Sequence, residues 1–580
     1  MNGGPLVASS ARGDAPAGGA ARAASGHLAG ALVTGGLVMV IACNALLAAN
    51  DVRVLRAGLA AVAYPFELDF AEGLVLTSTR ALADGHAVYP PPETLPARIS
   101  NYTPLYYAAA AALGTLVGDY LAAGRAVSLA SALLAAALLA LLSWRATDRL
   151  AGRWVRAATS AFAGLAFLQI SYTASWAALM RVDLLAVLLA VAGVVVFGTT
   201  AARGRQVYWC LLPLLAAAYT KQTTLAAAGA VVVAMALSDL RRGLALGGAF
   251  AVAGLLLAGT LQVVTQGGFA FHVLSGNVHP YSLHQVASLL QDIAIRYPVL
   301  VALAAVSVPG LLTSVPHSSF GTALRAAPGA PEARLESRRA YTRTALGAYL
   351  PLAGLAALTA GKLGAEVNYF IELMAVVCAC TAVTLADALQ PVHAGAEPSA
   401  ARAVVAFAVP ALLLWQIGRV APPASIESIE VPPAAEQTQV AELVEIIRRA
   451  DGPVLSEDLT LLNLAGKPIA YQPFDLAQLV RRRVRDETPL IAALDKGALG
   501  FVVLRFDVRT PPPIALSRFT PAMIDAIRAR YVLVSTYPGY WLYAPKALPG
   551  ATHASPLRER GRSTRAAHAA PPRQRDEAFS

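Results

Sequence analysis

Three acidic residues lie close together in the segment YPFELDFAEG, which follows a long apolar run near the start of the chain: Glu67, Asp69 and Glu72. A carboxylate can act as a general base towards a hydroxyl group. Asp69 and Glu72 are three positions apart, so a helix beginning near Asp69 would place both on one face. The same spacing is typical of a capping box, with Asp69 as N-cap and Glu72 at the third helical position. Spacing alone leaves both interpretations open.

Further polar residues follow where apolar runs begin or end. Asn101 and Tyr102 lie in SNYTPLYY, Arg181 and Asp183 in MRVD, Lys221 and Gln222 in YTKQTT, and Glu366 and Asn368 in GAEVNYF. An unpaired lysine at such a position is a candidate ligand for an anion such as a lipid phosphate. Each segment also has a structural interpretation. SNYTPLYY could be part of an interfacial aromatic belt, and MRVD could hold an ion pair at a helix end. The lysine of YTKQTT could snorkel to the membrane surface, and GAEVNYF could be a surface loop.

A metal site is not predicted. His272, Asn277, His279 and His284 occur within one segment, but their spacing does not match zinc ligands on one helix. All four cysteines fall inside apolar runs, so we expect no disulfide framework. We therefore expect no cofactor, and dependence on a divalent metal stays open.

Apolar runs dominate the elements that must position these residues. Of the 580 residues, 56% are hydrophobic and only 14% are charged, whereas soluble domains have about 25% charged residues. Runs of about 17 to 22 apolar residues are long enough to cross a bilayer as helices. The sequence predicts a polytopic α-helical membrane protein with about eleven spans, at 30–50, 122–143, 157–173, 182–199, 207–220, 223–238, 243–263, 298–316, 344–361, 370–388 and 403–419.

Arginine-rich connections alternate with connections that have few basic residues. The basic connections are 144–156, 201–206, 238–243 and 317–343. The positive-inside rule places them in the cytoplasm, which predicts a cytoplasmic N-terminus and an extracytoplasmic C-terminal domain. The apolar segment 103–118 would reverse this pattern if it crossed, so we interpret it as a helix at the outer face. The net charge of +11 then belongs to loops and tails rather than to a nucleic-acid surface.

The chain divides into four parts on composition. Residues 1–29 are rich in Ala, Gly and Ser and are predicted to be disordered, and residues 30–419 form the membrane domain with its first loop at 51–103. Residues 420–550 contain one segment with helical periodicity and four strand-like runs. This pattern predicts a small extracytoplasmic α/β domain. Residues 551–580 form a basic tail predicted to be disordered.

Four motifs together resemble the GT-C superfamily of integral-membrane glycosyltransferases, in particular the bacterial protein-mannosyltransferase and Rgt-like branch. They are FELDFAEG (66–73), NYTPLYY (101–107), RVD (181–183) and TKQ (220–222). The resemblance implies a GT-C-like fold and transfer of a hexose or pentose from a polyprenyl-phosphate donor to an acceptor hydroxyl, with inversion. The acceptor is a glycan, a glycolipid or a protein. The abundance of Ala, Arg and Gly suggests a GC-rich bacterial genome, which would make undecaprenyl or decaprenyl phosphate the carrier. The resemblance further implies a multi-pass protein of the bacterial cytoplasmic membrane with a role in the cell envelope.

The resemblance also implies roles for the polar residues. Asp69 is expected to be the general base, with Glu72 positioning the acceptor, while Lys221 and Arg181 hold the phosphate. Asn101 and Tyr102 are expected to line the groove for sugar or lipid, with Asp183, Gln222, Glu366 and Asn368 as further substrate contacts. Two other functions stay open: a carrier or flippase for lipid-linked intermediates, and a non-catalytic scaffold for envelope assembly.

Overall fold

Long apolar helices build the membrane domain in a computed structural model, which describes residues 17–91, 98–147, 151–315, 331–390, 400–420 and 431–546. Seven of the helical segments in these ranges are long and apolar enough to cross a membrane, and a bent pair, Leu283–Arg296 with Pro298–Leu312, would be an eighth. The chain is a polytopic helical membrane protein with a small C-terminal α/β domain. The seven segments that are long and apolar enough to cross a membrane are Gly26–Ala63, Tyr120–Ala146, Asp183–Thr200, Leu240–Val264, Leu335–Gly361, Val367–Ala388 and Ala400–Arg419.

The helices of the membrane domain are numbered in chain order. They are α1 (Ala17–Ala63), α2 (Glu72–Ala83), α3 (Leu105–Val117), α4 (Tyr120–Ala146), α5 (Arg153–Gln169), α6 (Ser171–Ala177), α7 (Asp183–Thr200), α8 (Leu211–Ala218), α9 (Ala226–Ser238), α10 (Leu240–Val264), α11 (Gly268–Ala270), α12 (Leu283–Arg296), α13 (Pro298–Leu312), α14 (Pro331–Ala357), α15 (Ile371–Ala388) and α16 (Ala400–Arg419).

Four of the eleven predicted spans correspond to shorter helices. These spans, 157–173, 207–220, 223–238 and 298–316, overlap α5, α8, α9 and α13, which have 17, 8, 13 and 15 residues. The count of eleven therefore stays a prediction. Helix α3 has 13 residues, or about 20 Å at 1.5 Å per residue, against a hydrocarbon layer of about 30 Å. That length fits the expected helix at a membrane face.

The first helix is longer at both ends than the sequence indicated. Helix α1 spans Ala17–Ala63, so residues 17–29 are helical rather than disordered, and the loop after it begins at Tyr64 rather than at Asp51. Alanine has the highest helix propensity, and the flanks of this span are rich in it, so the helix continues beyond the apolar run. The rest of the predicted N-terminal segment and the predicted tail 551–580 lie outside the described residues.

Arginines gather at one end of the membrane domain. Arg343 donates to Asp387 Oδ2 at 2.6 Å and to the carbonyl of Ala146 at 3.3 Å, and Arg145 donates to Thr199 Oγ1 at 2.6 Å. The ends of α4, α7 and α15 thus lie together, opposite the end that carries the first loop. This grouping fits the arginine pattern of the sequence, while the orientation in the membrane stays a prediction.

The C-terminal domain is a four-stranded sheet with helices around it. The strands run in the order β1-β2-β4-β3, with β1 parallel to β2 and the other two pairs antiparallel. The four strands match the four strand-like runs of the sequence, and β3 ends one residue after its run, at Tyr537. The elements are α17 (Ala434–Arg449), β1 (Val454–Ser456), α18 (Leu459–Ala465), α19 (Pro473–Arg481), α20 (Thr488–Asp495), β2 (Phe501–Leu504), α21 (Pro513–Arg518), α22 (Pro521–Arg530), β3 (Tyr531–Tyr537) and β4 (Tyr540–Pro545).

The C-terminal domain packs directly on the first loop. Helix α18 lies against the start of α2, where Gly73 allows a close approach. A Cβ atom at Gly73 would lie 2.9 Å from both Glu67 Oε2 and the backbone nitrogen of Thr460. The missing side chain therefore lets the two domains touch through their backbones.

We predict that Gly73→Ala loosens this contact. Overpacking of a well-packed site costs about 1–3 kcal/mol, so the midpoint of thermal unfolding in lipid nanodiscs should fall. Gly248→Ala is the matched control, because nothing lies within 4 Å of a Cβ atom at that position in α10. An equal midpoint for both variants would contradict the close approach at Gly73.

Candidate active site

Glu72 fixes the first loop through a buried ion pair with Arg125. Neither side chain is accessible to solvent, and Arg125 Nη2 lies 2.7 Å from Glu72 Oε2. Oε1 accepts from Arg125 Nε at 2.8 Å and from the backbone of Met180 at 2.7 Å, while Oε2 also accepts from the backbone of Leu68 at 2.8 Å. Both carboxylate oxygens are thus occupied inside the protein.

This geometry changes the expected role of Glu72. Helix α2 begins at Glu72 itself, and the capping interpretation is met in part: Glu72 Oε2 accepts from the backbone N–H of Asp69 at 3.3 Å, and Asp69 Oδ1 accepts from that of Ala71 at 3.2 Å. A carboxylate whose oxygens are all occupied cannot position an acceptor. Glu72 therefore shapes the loop, and the expectation that it contacts substrate is abandoned.

Arg125 organises the rest of the turn after α1. Its guanidinium donates to the carbonyls of Ala61, Tyr64 and Phe66 at 2.5–2.8 Å, in addition to Glu72. Sequence reasoning missed this residue, although a lone arginine inside an apolar helix was a signal. Ionisable residues at such positions face the protein interior and have a partner.

Asp69 is the carboxylate that the folded loop leaves partly accessible. Its side chain is 21% exposed, and Oδ1 lies 2.5 Å from Arg181 Nη1. The same oxygen accepts from the backbone of Ala71 at 3.2 Å, and Oδ2 accepts no hydrogen bond from the residues that the structure describes. Asp69 is thus oriented by one oxygen, while the other can receive a proton.

Arg181 lies under Asp69, just before α7. It is 5% exposed, and its guanidinium is 5.7 Å from the centre of the Trp176 ring. Burial alone would lower the pKa of Arg181, but the charge of Asp69 and the neighbouring Tyr102 and Asp183 outweigh it and hold that pKa well above its usual value. Arg181 therefore stays a cation, and its Nε has no hydrogen-bond partner in the described part of the chain.

Asp183, Lys221 and Asn368 form a second buried cluster beside the first. Lys221 Nζ and Asn368 Nδ2 lie 2.6 and 2.8 Å from Asp183 Oδ1. Asp183 Oδ2 is buried and has no hydrogen-bond partner among the described residues, and it borders a small cavity also lined by Tyr369 and Glu372. The lysine charge is already balanced by Asp183, which weakens the expectation that Lys221 alone holds a phosphate.

Asn101, Tyr102 and Gln222 meet at the same end of the membrane domain. Gln222 Nε2 donates to the carbonyl of Asn101 at 2.8 Å, and the side-chain oxygens of both residues are buried without a partner in the described ranges. Burial raises the pKa of Tyr102 to about 12, so its hydroxyl stays protonated and able to donate. These groups can bind the hydroxyls of a polar ligand.

Lys362 is a further cation near these groups, bound to Asn277, which itself donates to the carbonyl of Asn101. Its Nζ donates to Asn277 Oδ1 at 2.6 Å and to the carbonyl of the same residue at 3.1 Å. No carboxylate of the described residues lies within ion-pair distance of it. Burial, with a smaller contribution from the charge of Lys221, lowers the pKa of Lys362 to about 8. An anion bound here would pair with a lysine whose charge no carboxylate of the described residues balances.

The remaining acidic and histidine residues have other positions. Glu366 is exposed to solvent, and its negative charge helps to raise the pKa of Arg181. Glu67 is buried against the C-terminal domain. His272 accepts from the backbone of Ser100 at 3.1 Å, which is a structural role. The described residues include no group of three or more His, Cys, Asp or Glu side chains arranged to hold a metal.

The fold and site can be compared with known proteins. No family model and no curated protein matches the sequence. Among solved structures, the chain is similar to ArnT from Cupriavidus metallidurans bound to undecaprenyl phosphate, with 15% identity, 88% of this chain and 99% of that chain covered, and a TM-score of 0.49. It is also similar to the Archaeoglobus fulgidus oligosaccharyltransferase tethered with an acceptor peptide, with 12% identity, 86% and 74% covered, and a TM-score of 0.45.

At these identities and TM-scores neither structure carries an argument about the function of this chain. The proposals below therefore rest on the geometry of the site.

We predict that Arg125→Met destabilises the protein strongly. Removing one partner of a buried ion pair typically costs about 3–5 kcal/mol, because the other charge stays buried without compensation. Thermal unfolding in nanodiscs measures the loss. The double variant Glu72→Gln/Arg125→Met should recover part of it, and an unchanged midpoint in the single variant would show that the pair does not hold the loop.

Proposed function

We propose that this protein is a glycosyltransferase that moves a sugar from a polyprenyl-phosphate donor to an acceptor hydroxyl at the outer membrane face. The observation that supports this most directly is Asp69, a partly accessible carboxylate with one oxygen held by Arg181 and the other available. Further cations and neutral hydrogen-bonding groups lie at the same end of the membrane domain. A general base and stabilisation of an anionic leaving group are what such a transfer requires.

The reaction follows from these groups as one displacement. Asp69 accepts the proton of the acceptor hydroxyl, whose oxygen forms a bond to the anomeric carbon. The bond between that carbon and the phosphate oxygen breaks, and its electron pair leaves with the polyprenyl phosphate. Attack opposite the leaving group inverts the anomeric centre. A phosphate is a good leaving group, so no second carboxylate is required as an acid.

Arg181 and Lys362 are the residues best suited to bind the phosphate. Arg181 carries a permanent charge, and Lys362 has only neutral partners in the described structure, so each can gain from an added anion. Lys221 is less suited to this role, because its charge is already paired with Asp183. The unpartnered oxygens of Asn101 and Gln222, with the Tyr102 hydroxyl, are suited to the hydroxyls of the sugar.

We expect Asp69→Asn to abolish turnover while leaving the donor bound. Loss of a general base costs about 10²–10⁴-fold in rate, and asparagine is nearly isosteric with aspartate. Sugar release from a panel of radiolabelled polyprenyl-phosphate sugars, with candidate acceptors added, measures the rate in nanodiscs. Asp525→Asn is the control, because that carboxylate is exposed on the C-terminal domain, where it pairs with Arg528, and this variant is expected to keep activity.

Three outcomes separate this proposal from its alternatives. Full activity of Asp69→Asn would remove Asp69 from the role of base. Donor binding by the folded wild type without turnover of any donor would favour a carrier, and the absence of both binding and turnover would favour a scaffold.

Affinity for polyprenyl phosphate, the product that leaves the site, should also depend on pH through Lys362. The lysine is protonated below about pH 8, so polyprenyl phosphate should bind well at pH 7.5 and more weakly as pH rises towards 9.5. A charge-assisted hydrogen bond contributes about 1.5–3 kcal/mol, or roughly tenfold or more in Kd. Phosphate monoesters lose their second proton near pH 6, so the ligand itself changes little in this window. Lys362→Arg should bind without this pH dependence, and a profile identical to wild type would exclude Lys362 from the phosphate site.

A further inference from the structure

The loop that carries Asp69 lies at the contact between the two domains. Residues 64–71 form neither helix nor strand, so their position depends on side-chain and backbone contacts. Arg181, which binds Asp69, belongs to the membrane domain. The side chains on either side of Asp69 are bound instead by the C-terminal domain.

Glu67 is the first of these side chains. It is fully buried and accepts from Arg505 Nη2 at 2.9 Å and from Thr460 Oγ1 at 3.0 Å. Arg505 also lies 3.2 Å from Asp458 Oδ2, to which the Tyr540 hydroxyl donates at 2.6 Å. A network inside the C-terminal domain therefore holds the loop two residues before Asp69.

Phe70 is the second, directly after Asp69. The guanidinium of Arg518 lies 4.2 Å from the centre of its ring, and the ring of Phe474 meets it edge to face at 6.4 Å. Arg518 is itself fixed by Glu457, whose Oε1 is 2.6 Å from Arg518 Nη1. A cation over an aromatic face and an edge-to-face pair are both attractive geometries.

We propose that the C-terminal domain sets the position of the catalytic carboxylate, with Arg518 and Phe474 as positioning residues that act on Asp69 through Phe70. This inference rests on the proposed role of Asp69 as base. Consecutive Cα atoms are about 3.8 Å apart, so a shift of Phe70 is transmitted to Asp69 almost undiminished. A misplacement of about 1 Å can cost about a hundredfold in rate.

The first test compares turnover and donor binding in the full-length protein in nanodiscs. Arg518→Met should lower kcat tenfold to a hundredfold and leave the Kd for polyprenyl phosphate unchanged. Arg509→Met is the matched control: it removes an arginine of the same domain that is paired with Asp507 at the surface, and it should retain wild-type kcat.

A double-mutant cycle separates positioning from general damage. If Arg518 acts through Phe70, then Arg518→Met should have little further effect on kcat once Phe70→Leu is present, and Phe70→Tyr should retain most of the activity. Additive losses in the double variant, or equal losses in Arg509→Met, would overturn the proposal.

The second test does not depend on activity. Hydrogen–deuterium exchange of residues 64–71 should become faster in Arg518→Met and in Phe474→Leu, but not in Arg509→Met. Unchanged exchange in this loop would overturn the proposal, whatever the turnover. Absence of turnover in the wild type together with faster loop exchange in the variants would refute the proposed function and leave the domain contact supported.

Discussion

The buried pair of Glu72 and Arg125 is the interaction on which the site depends. Removing two charges from water is costly, and their mutual attraction offsets that cost only when their remaining hydrogen-bonding groups are also satisfied. Here Arg125 meets that condition by donating to three carbonyls of the turn after α1, and Glu72 by accepting backbone N–H groups from Leu68 and Met180. Satisfying the charges thus fixes the loop.

The same constraint explains why Asp69 stands apart from its acidic neighbours. Glu67 is bound by the C-terminal domain and Glu72 by α4, so each is buried and compensated. Asp69 lies between them with one oxygen on Arg181 and the other open. Three carboxylates in six residues therefore have three different environments, and only one of these is suited to proton transfer.

The sequence was informative where signals are local. Apolar runs predicted the long helices, and short strand-like runs predicted the strands of the C-terminal domain. The acidic loop and the RVD segment were identified, but their contact was not, because Asp69 and Arg181 are 112 positions apart. Glu72 was assigned by local helical spacing, whereas its true partner is Arg125, 53 positions away. The short helices α8 and α9 were overestimated, because hydrophobicity does not reveal where a helix breaks.

The contact between Glu67 and Arg505 joins residues 438 positions apart. During synthesis the loop leaves the ribosome long before its partner exists, and the C-terminal domain must still be made and folded before that contact can form. Glu67 therefore stays without this partner until the chain has been synthesised past Arg505. A chain interrupted before Arg505 would contain Asp69, Glu72, Arg125 and Arg181 and would still lack the contact that holds Glu67.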